Sequence, residues 1–105
     1  KAKFFGIEFT DGIIRIHVLE SVQEHLEEGT AMHHCVYDAR YYSKPQSLIF
    51  SATKDGERIE TIEVSLETMK VVQSRGVCNK NTEYHEQILA LMQKNMRTIA
   101  QRATA

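Results

Sequence analysis

Apolar and polar positions alternate over residues 3–9 and again over residues 13–18, the two-residue period of a half-buried strand. Thr10-Asp11-Gly12 separates the two runs, and Asp-Gly supplies the positive φ that a tight hairpin demands. A first hairpin follows, with Phe5, Ile7 and Phe9 on one face of the first strand and Ile14, Ile16 and Val18 on one face of the second. His17 then points the other way.

The period next changes to that of a helix. Ser21 and Glu24 have the spacing of a capping box, and Gly29 suits the residue that ends a helix, which predicts a helix over residues 22–28 with Val22 and Leu26 facing the sheet. Thr30 caps a second short turn through Met32, His33, His34, Cys35 and Val36. Beyond the single proline, Pro45, strands are expected over residues 47–53 and 58–65 around a second Asp-Gly pair, Asp55-Gly56. A third runs over residues 69–75 after a polar turn. Asn81 or Thr82 then caps a long helix reaching about Arg102, with Tyr84, Ile88, Leu91, Met92, Asn95 and Ile99 along one side. This order predicts an α+β fold: a five-stranded, mainly antiparallel sheet, short helices after the second strand, and a long C-terminal helix packed on the sheet.

Composition narrows the class. Leu, Ile, Val and Phe make up 26 of 105 residues, enough to build a core and too many for a disordered chain. One domain spanning residues 1–105 is expected, without repeats or low-complexity stretches. Thirteen basic against fourteen acidic residues, with no run of like charge, give no footprint for duplex nucleic acid or a membrane surface. No apolar run has the length of a membrane span, so a cytoplasmic location is the expectation. Two cysteines, Cys35 and Cys78, read better as reduced thiols than as a secreted disulfide framework. The first residue is Lys1, so the chain reads as a fragment of a longer protein.

Three groups of residues carry candidate chemistry. His33, His34, Cys35, Cys78 and His85 are zinc-ligand types, but contiguous ligands followed by a pair seven residues apart do not have the spacing of a zinc site. Neither a metal nor a cofactor is therefore expected. Cys35 near a helix start is a candidate nucleophile, its thiol favoured as thiolate by the helix dipole and by a histidine. His34 is adjacent in sequence, yet neighbours on a helix point about 100° apart, so His85 or His17 is the better placed base. The third group is Gln73, Ser74, Arg75, Gly76 and Asn79, where a strand face that begins with Met69 and Val71 ends in an amide and a guanidinium. Either the strand leaves the core there, or Gln73 is a buried amide with matched partners. Gly76 and Asn79 are read as turn residues able to take positive φ. Thr61 and Glu63 share one face of the fourth strand, with Glu63 solvent-facing or paired with Lys70, while Glu60 sits at an open end and His25 on the surface.

The strings Glu28-Gly29, Met32-His33-His34-Cys35-Val36, Ser47-Leu48-Ile49-Phe50-Ser51, Thr61-Ile62-Glu63-Val64 and Gln73-Ser74-Arg75-Gly76 followed by Asn79 resemble the PcfJ-like proteins of bacterial mobile and conjugative elements. The resemblance spans about residues 26–90 and leaves the first hairpin outside. It implies a place among mobile-element proteins, without a defined activity, and marks His34, Cys35, Thr61, Glu63, Gln73, Gly76 and Asn79. The expected function is a non-enzymatic accessory or interaction domain that binds protein components of a mobile-element or conjugation system. The alternatives are a cysteine-dependent enzyme of hydrolase type, using Cys35 with a nearby histidine, and a single-stranded nucleic-acid-binding module. In each the Cys35 turn and the stretch from Gln73 to Asn79 meet at one locus.

Overall fold

Both Asp-Gly pairs make the turns their chemistry demands. A computed structural model describes residues 2–33 and 44–104, the side chain of Asn79 apart. At the second pair Asp55 (φ 53°) and Gly56 (φ 82°) both take the left-handed conformation of a two-residue hairpin turn. At the first, the Asp11 carboxylate accepts from the backbone N–H of Ile13 and Ile14 and folds the chain back on itself.

The sheet has five antiparallel strands in sequence order: β1 (Glu8–Thr10), β2 (Arg15–Val18), β3 (Ser47–Lys54), β4 (Glu57–Ser65) and β5 (Lys70–Arg75). Helix α1 (Val22–Met32) lies between β2 and β3, and helix α2 (His85–Ala103) closes the described chain. This is the expected α+β architecture. The first strand is shorter than its alternation predicts, because Gly6 turns at φ 85° and the residues before it wind into a 3-10 turn, Ala2–Phe4.

Helix α1 starts where the capping box places it: the Ser21 side chain accepts from Glu24 N–H at 3.1 Å. The return bond from Glu24 goes to Glu20 N–H, one residue earlier than in the full motif. The helix does not stop at Gly29. It runs on to Met32 and ends at His33, whose φ of 57° is the left-handed cap and whose N–H bonds the Gly29 carbonyl.

One sheet face and α2 enclose the main core, in which Phe9, Ile16, Phe50, Ile62, Val64 and the α2 residues Ile88, Met92 and Ile99 are nearly or fully buried. Phe9 and Phe50 stack with ring centroids 6.1 Å apart. The α2 stripe is the predicted one, except that Met96 is buried while Asn95 is half-buried, its amide donating to the Leu91 carbonyl. Helix α1 packs against β4 on the other side. No helix among the described residues is long and apolar enough to cross a membrane.

Two β-bulges set which side chains share a face. Ile59 is the extra residue between the Ala52–Glu60 and Thr53–Arg58 pairings. Val72 is the extra residue between Glu63–Gln73 and Val64–Val71. The second bulge resolves the strand face that turned from apolar to polar. Val71 opposes Val64 on the α2 side, whereas Gln73 and Arg75 oppose Glu63 and Thr61 on the α1 side.

Candidate functional site

The α1 side of the sheet is polar where a pattern of buried strands would have it apolar. Its rows run across the strands in register: His17, Ser51, Thr61 and Arg75 in one, Ile49, Glu63 and Gln73 in the next. Helix α1 answers with a polar stripe. His25, Glu28 and Met32, spaced for one helix face, are buried, while Val22 and Leu26 are exposed. Both expectations for this helix are thus reversed, the surface histidine and the apolar stripe, because a carboxylate and an imidazole match a face of hydroxyls better than two aliphatic side chains do.

Two buried carboxylates organise this face. Glu28 is fully buried and accepts from Arg58 Nε at 2.8 Å and from the Thr61 hydroxyl. Glu63 is 6% exposed, accepting from Ser47 Oγ and from Gln73 Nε2, each at 2.9 Å. The expectation of a solvent-facing Glu63 or a Glu63–Lys70 pair is corrected: a central strand covered on both sides has no solvent to offer, and Ser47 and Gln73 supply the donors. Gln73 is half-buried rather than buried, and its Nε2 donates to the Glu63 carboxylate. Opposite Thr61 in register stands Ser51, 1% exposed, its hydroxyl without a partner among the described residues.

A third buried carboxylate, Glu60, lies on the α2 side and is fully buried rather than at an open end. Alternation with Ile62 and Val64 points it inward, and it accepts from Ser74 Oγ (2.6 Å), Thr82 N–H (2.9 Å) and Thr82 Oγ1 (2.8 Å). The His85 ring nitrogen Nδ1 stands 2.9 Å from Oε1, the oxygen that also accepts from Ser74. Burial pushes the Glu60 carboxyl up, but these hydrogen bonds more than offset it and hold it below its ordinary range. Glu60 thereby ties the start of α2 to the sheet.

His85, the candidate base, is held at Nδ1 by Glu60 and borders a groove between β5 and α2 that Gln73 and Arg75 also line. Arg75 NH1 reaches Asn81 Oδ1 at 3.3 Å. Gly76 has an extended backbone, φ −83° and ψ −165°, so positive φ is not what it supplies. Its N–H bonds the Lys80 carbonyl at 2.6 Å, and a Cβ there would meet Thr82 Cγ2 at 2.6 Å and Lys80 O at 2.7 Å. Close approach is the reason for glycine. The left-handed residue is Cys78, φ 59°, an exposed free thiol in the 3-10 turn Val77–Asn79. Asn79 contributes backbone to that turn.

The structure therefore joins Glu63 with Gln73 and Thr61 with Glu28 in two separate clusters on one face, and sets Gln73, Arg75 and His85 along one groove. His34 and Cys35 lie outside the described residues. Among the described residues, no group of three or more His, Cys, Asp or Glu side chains could hold a metal ion. Sequence reading missed Arg58 and the buried acceptor roles of Glu28 and Glu60. The available signal was the spacing of His25, Glu28 and Met32, together with the polar side, Thr61 and Glu63, of a strand in the middle of the sheet.

An α+β domain with one oily and one polar sheet face, the polar one carrying the Thr-x-Glu and Gln-x-Arg-Gly strings, is the class defined so far. A model of the PcfJ-like protein family matches residues 1–89, and the chain belongs to that family. The match takes in the first hairpin as well as the motif region and ends within the first turns of α2. No curated protein and no solved structure matches the chain.

Proposed function

We propose that this PcfJ-like domain is a non-enzymatic accessory or interaction module of a bacterial mobile-element protein, working in the cytoplasm through protein partners. The observation that carries the reading is the closure of the two polar clusters. Glu63 is occupied by Ser47 and Gln73, and Glu28 by Arg58 and Thr61, so the polar residues of the family strings bond one another. Carboxylates held this way specify how α1, β3, β4 and β5 fit together and have little capacity left for proton transfer. The mobile-element context comes from the family resemblance.

The test is complementation of a conjugative element carrying an in-frame deletion of the domain. Transfer restored by a Cys35→Ala, His34→Ala double variant, with the same photo-cross-linked protein partner as the wild type, supports the module. Loss of transfer with folding and partner retained overturns it.

A second reading is favoured by one observation: His85 is oriented by a buried carboxylate, as the base of a nucleophile–base pair commonly is. It makes the domain a cysteine-dependent enzyme of hydrolase type, with Cys35 as nucleophile and His34 or His85 as base. Alkylation of Cys35 that is fast near neutral pH and slowed by His85→Ala supports that reading, and an inert thiol removes it.

A further inference from the structure

We propose that the groove between β5 and α2 receives an acidic, extended peptide segment of a protein partner, which adds to the sheet as a sixth strand. The proposal rests on the interaction-module reading and names where and what such a module binds.

Among the described residues β5 is an end of the sheet, so one side of its backbone has no neighbouring strand. Unpaired N–H and C=O groups along an edge are the template for strand addition. The edge is flanked by α2, and the cleft between them measures about 550 Å³. Met69, Val71 and Leu89, each partly buried, line it and offer apolar contact.

Charge selects the occupant. Lys70, exposed, and Arg75, half-buried and donating to Asn81, stand at the two ends of β5, and no carboxylate lines the groove among the described residues. Lys70 has no ion-pair partner among them either. A second copy of the chain is a poor occupant: antiparallel pairing of β5 with itself about its middle sets Lys70 opposite the copy's Arg75, and like charges directly opposite are unfavourable. Lysines and bulges on an edge are ordinary guards against self-association. The same charges attract an acidic strand.

The register defines the sequence pattern of that strand. Val71 and Ser74 oppose Val64 and Ile62 on the α2 side, whereas Lys70 and Arg75 oppose Ser65 and Thr61 on the other. A strand of period two therefore fits when its aliphatic residues face α2 and its carboxylates face Lys70 and Arg75.

The experiment is a titration of the 15N-labelled 105-residue chain, read by amide NMR shifts, with three capped hexapeptides. One alternates valine and glutamate, one alternates valine and lysine, and one is the acidic peptide with a central valine replaced by proline. The acidic peptide is expected to bind with a Kd of about 1 mM or tighter, moving the amides of residues 70–75 and Leu89, with the other two about tenfold weaker or more. Lys70→Glu with Arg75→Glu, the first side chain exposed and the second half-buried, should reverse the preference toward the lysine peptide. Equal binding of the acidic and lysine peptides, or β5 amides unmoved by the acidic peptide, overturns the groove. If β5 stays unmoved while the cross-linked partner is still recovered in donor cells, the groove fails and the module stands. If the partner is absent while the acidic peptide still moves β5, the module reading fails on its own.

Discussion

The two faces of the sheet solve burial in opposite ways. Toward α2, Phe9, Phe50, Ile62 and Val64 meet Ile88, Met92 and Ile99, and attraction is non-directional. Toward α1, Glu28 and Glu63 are buried with donors aimed at them, and each bond needs its own geometry. Strand β4 supplies both faces by simple alternation, Ile62 and Val64 one way, Thr61 and Glu63 the other. The oily face provides most of the driving force, and the polar face determines how α1 and the strands align. Substitutions should separate these roles by size and by character.

The largest loss is expected on the oily side. Phe50→Ala removes a fully buried ring and its stacking on Phe9, and should cost about 3–5 kcal/mol in urea unfolding. Next comes Glu60→Ala, which leaves Ser74, Thr82 and His85 without their acceptor and should cost about 3 kcal/mol. The pH dependence follows from the direction of its shift. Because the folded-state pKa of Glu60 lies below its unfolded value, its contribution is fully present above the unfolded carboxylate range and is lost as pH falls through the folded pKa. Glu60→Gln should therefore flatten the acid limb of a stability–pH curve measured from pH 6 downward.

On the polar side the effects are smaller. Glu63→Gln keeps the shape but turns one acceptor into a donor, and should cost about 1–2 kcal/mol, with the loss seen as faster hydrogen exchange in β3 and β5. Smallest, and opposite in sign, is Ser51→Ala. Its hydroxyl is buried with no partner among the described residues, so removing it should stabilise the chain by up to about 1 kcal/mol. A destabilised Ser51→Ala variant would mean that the hydroxyl has a partner.

Local chemistry made much of this fold legible. Asp55-Gly56 and Asp11 announced their turns, Ser21 announced its helix, and the spacing of Ile88, Leu91, Met92 and Ile99 announced the helix that covers the core. What escaped depended on partners far away in the chain. The apolar pair Val22 and Leu26 looked like the inner stripe of α1 only on the premise of an oily sheet beneath it, and Thr61 and Glu63 make that sheet polar. Glu60 looked peripheral because its acceptor role is defined by Ser74, Thr82 and His85, all beyond the hairpin that carries it. Strict alternation grouped Met69, Val71, Gln73 and Arg75, and a single extra residue undid the grouping. For the candidate site, Thr61, Glu63, Gln73 and Arg75 were legible as residues that matter, but the bonds from Thr61 to Glu28 and from Gln73 to Glu63 were not.

The bulge at Val72 also makes β5 tolerant of a change in length. Elsewhere in a strand, losing one amino acid inverts the orientation of everything downstream, which is why such losses are rarely survived. Removing Val72 instead restores unbroken pairing with β4 and leaves Gln73 beside Glu63 and Ser74 beside Ile62, as they already are. The chain can shorten by one residue at this position and still point every later side chain where it pointed before.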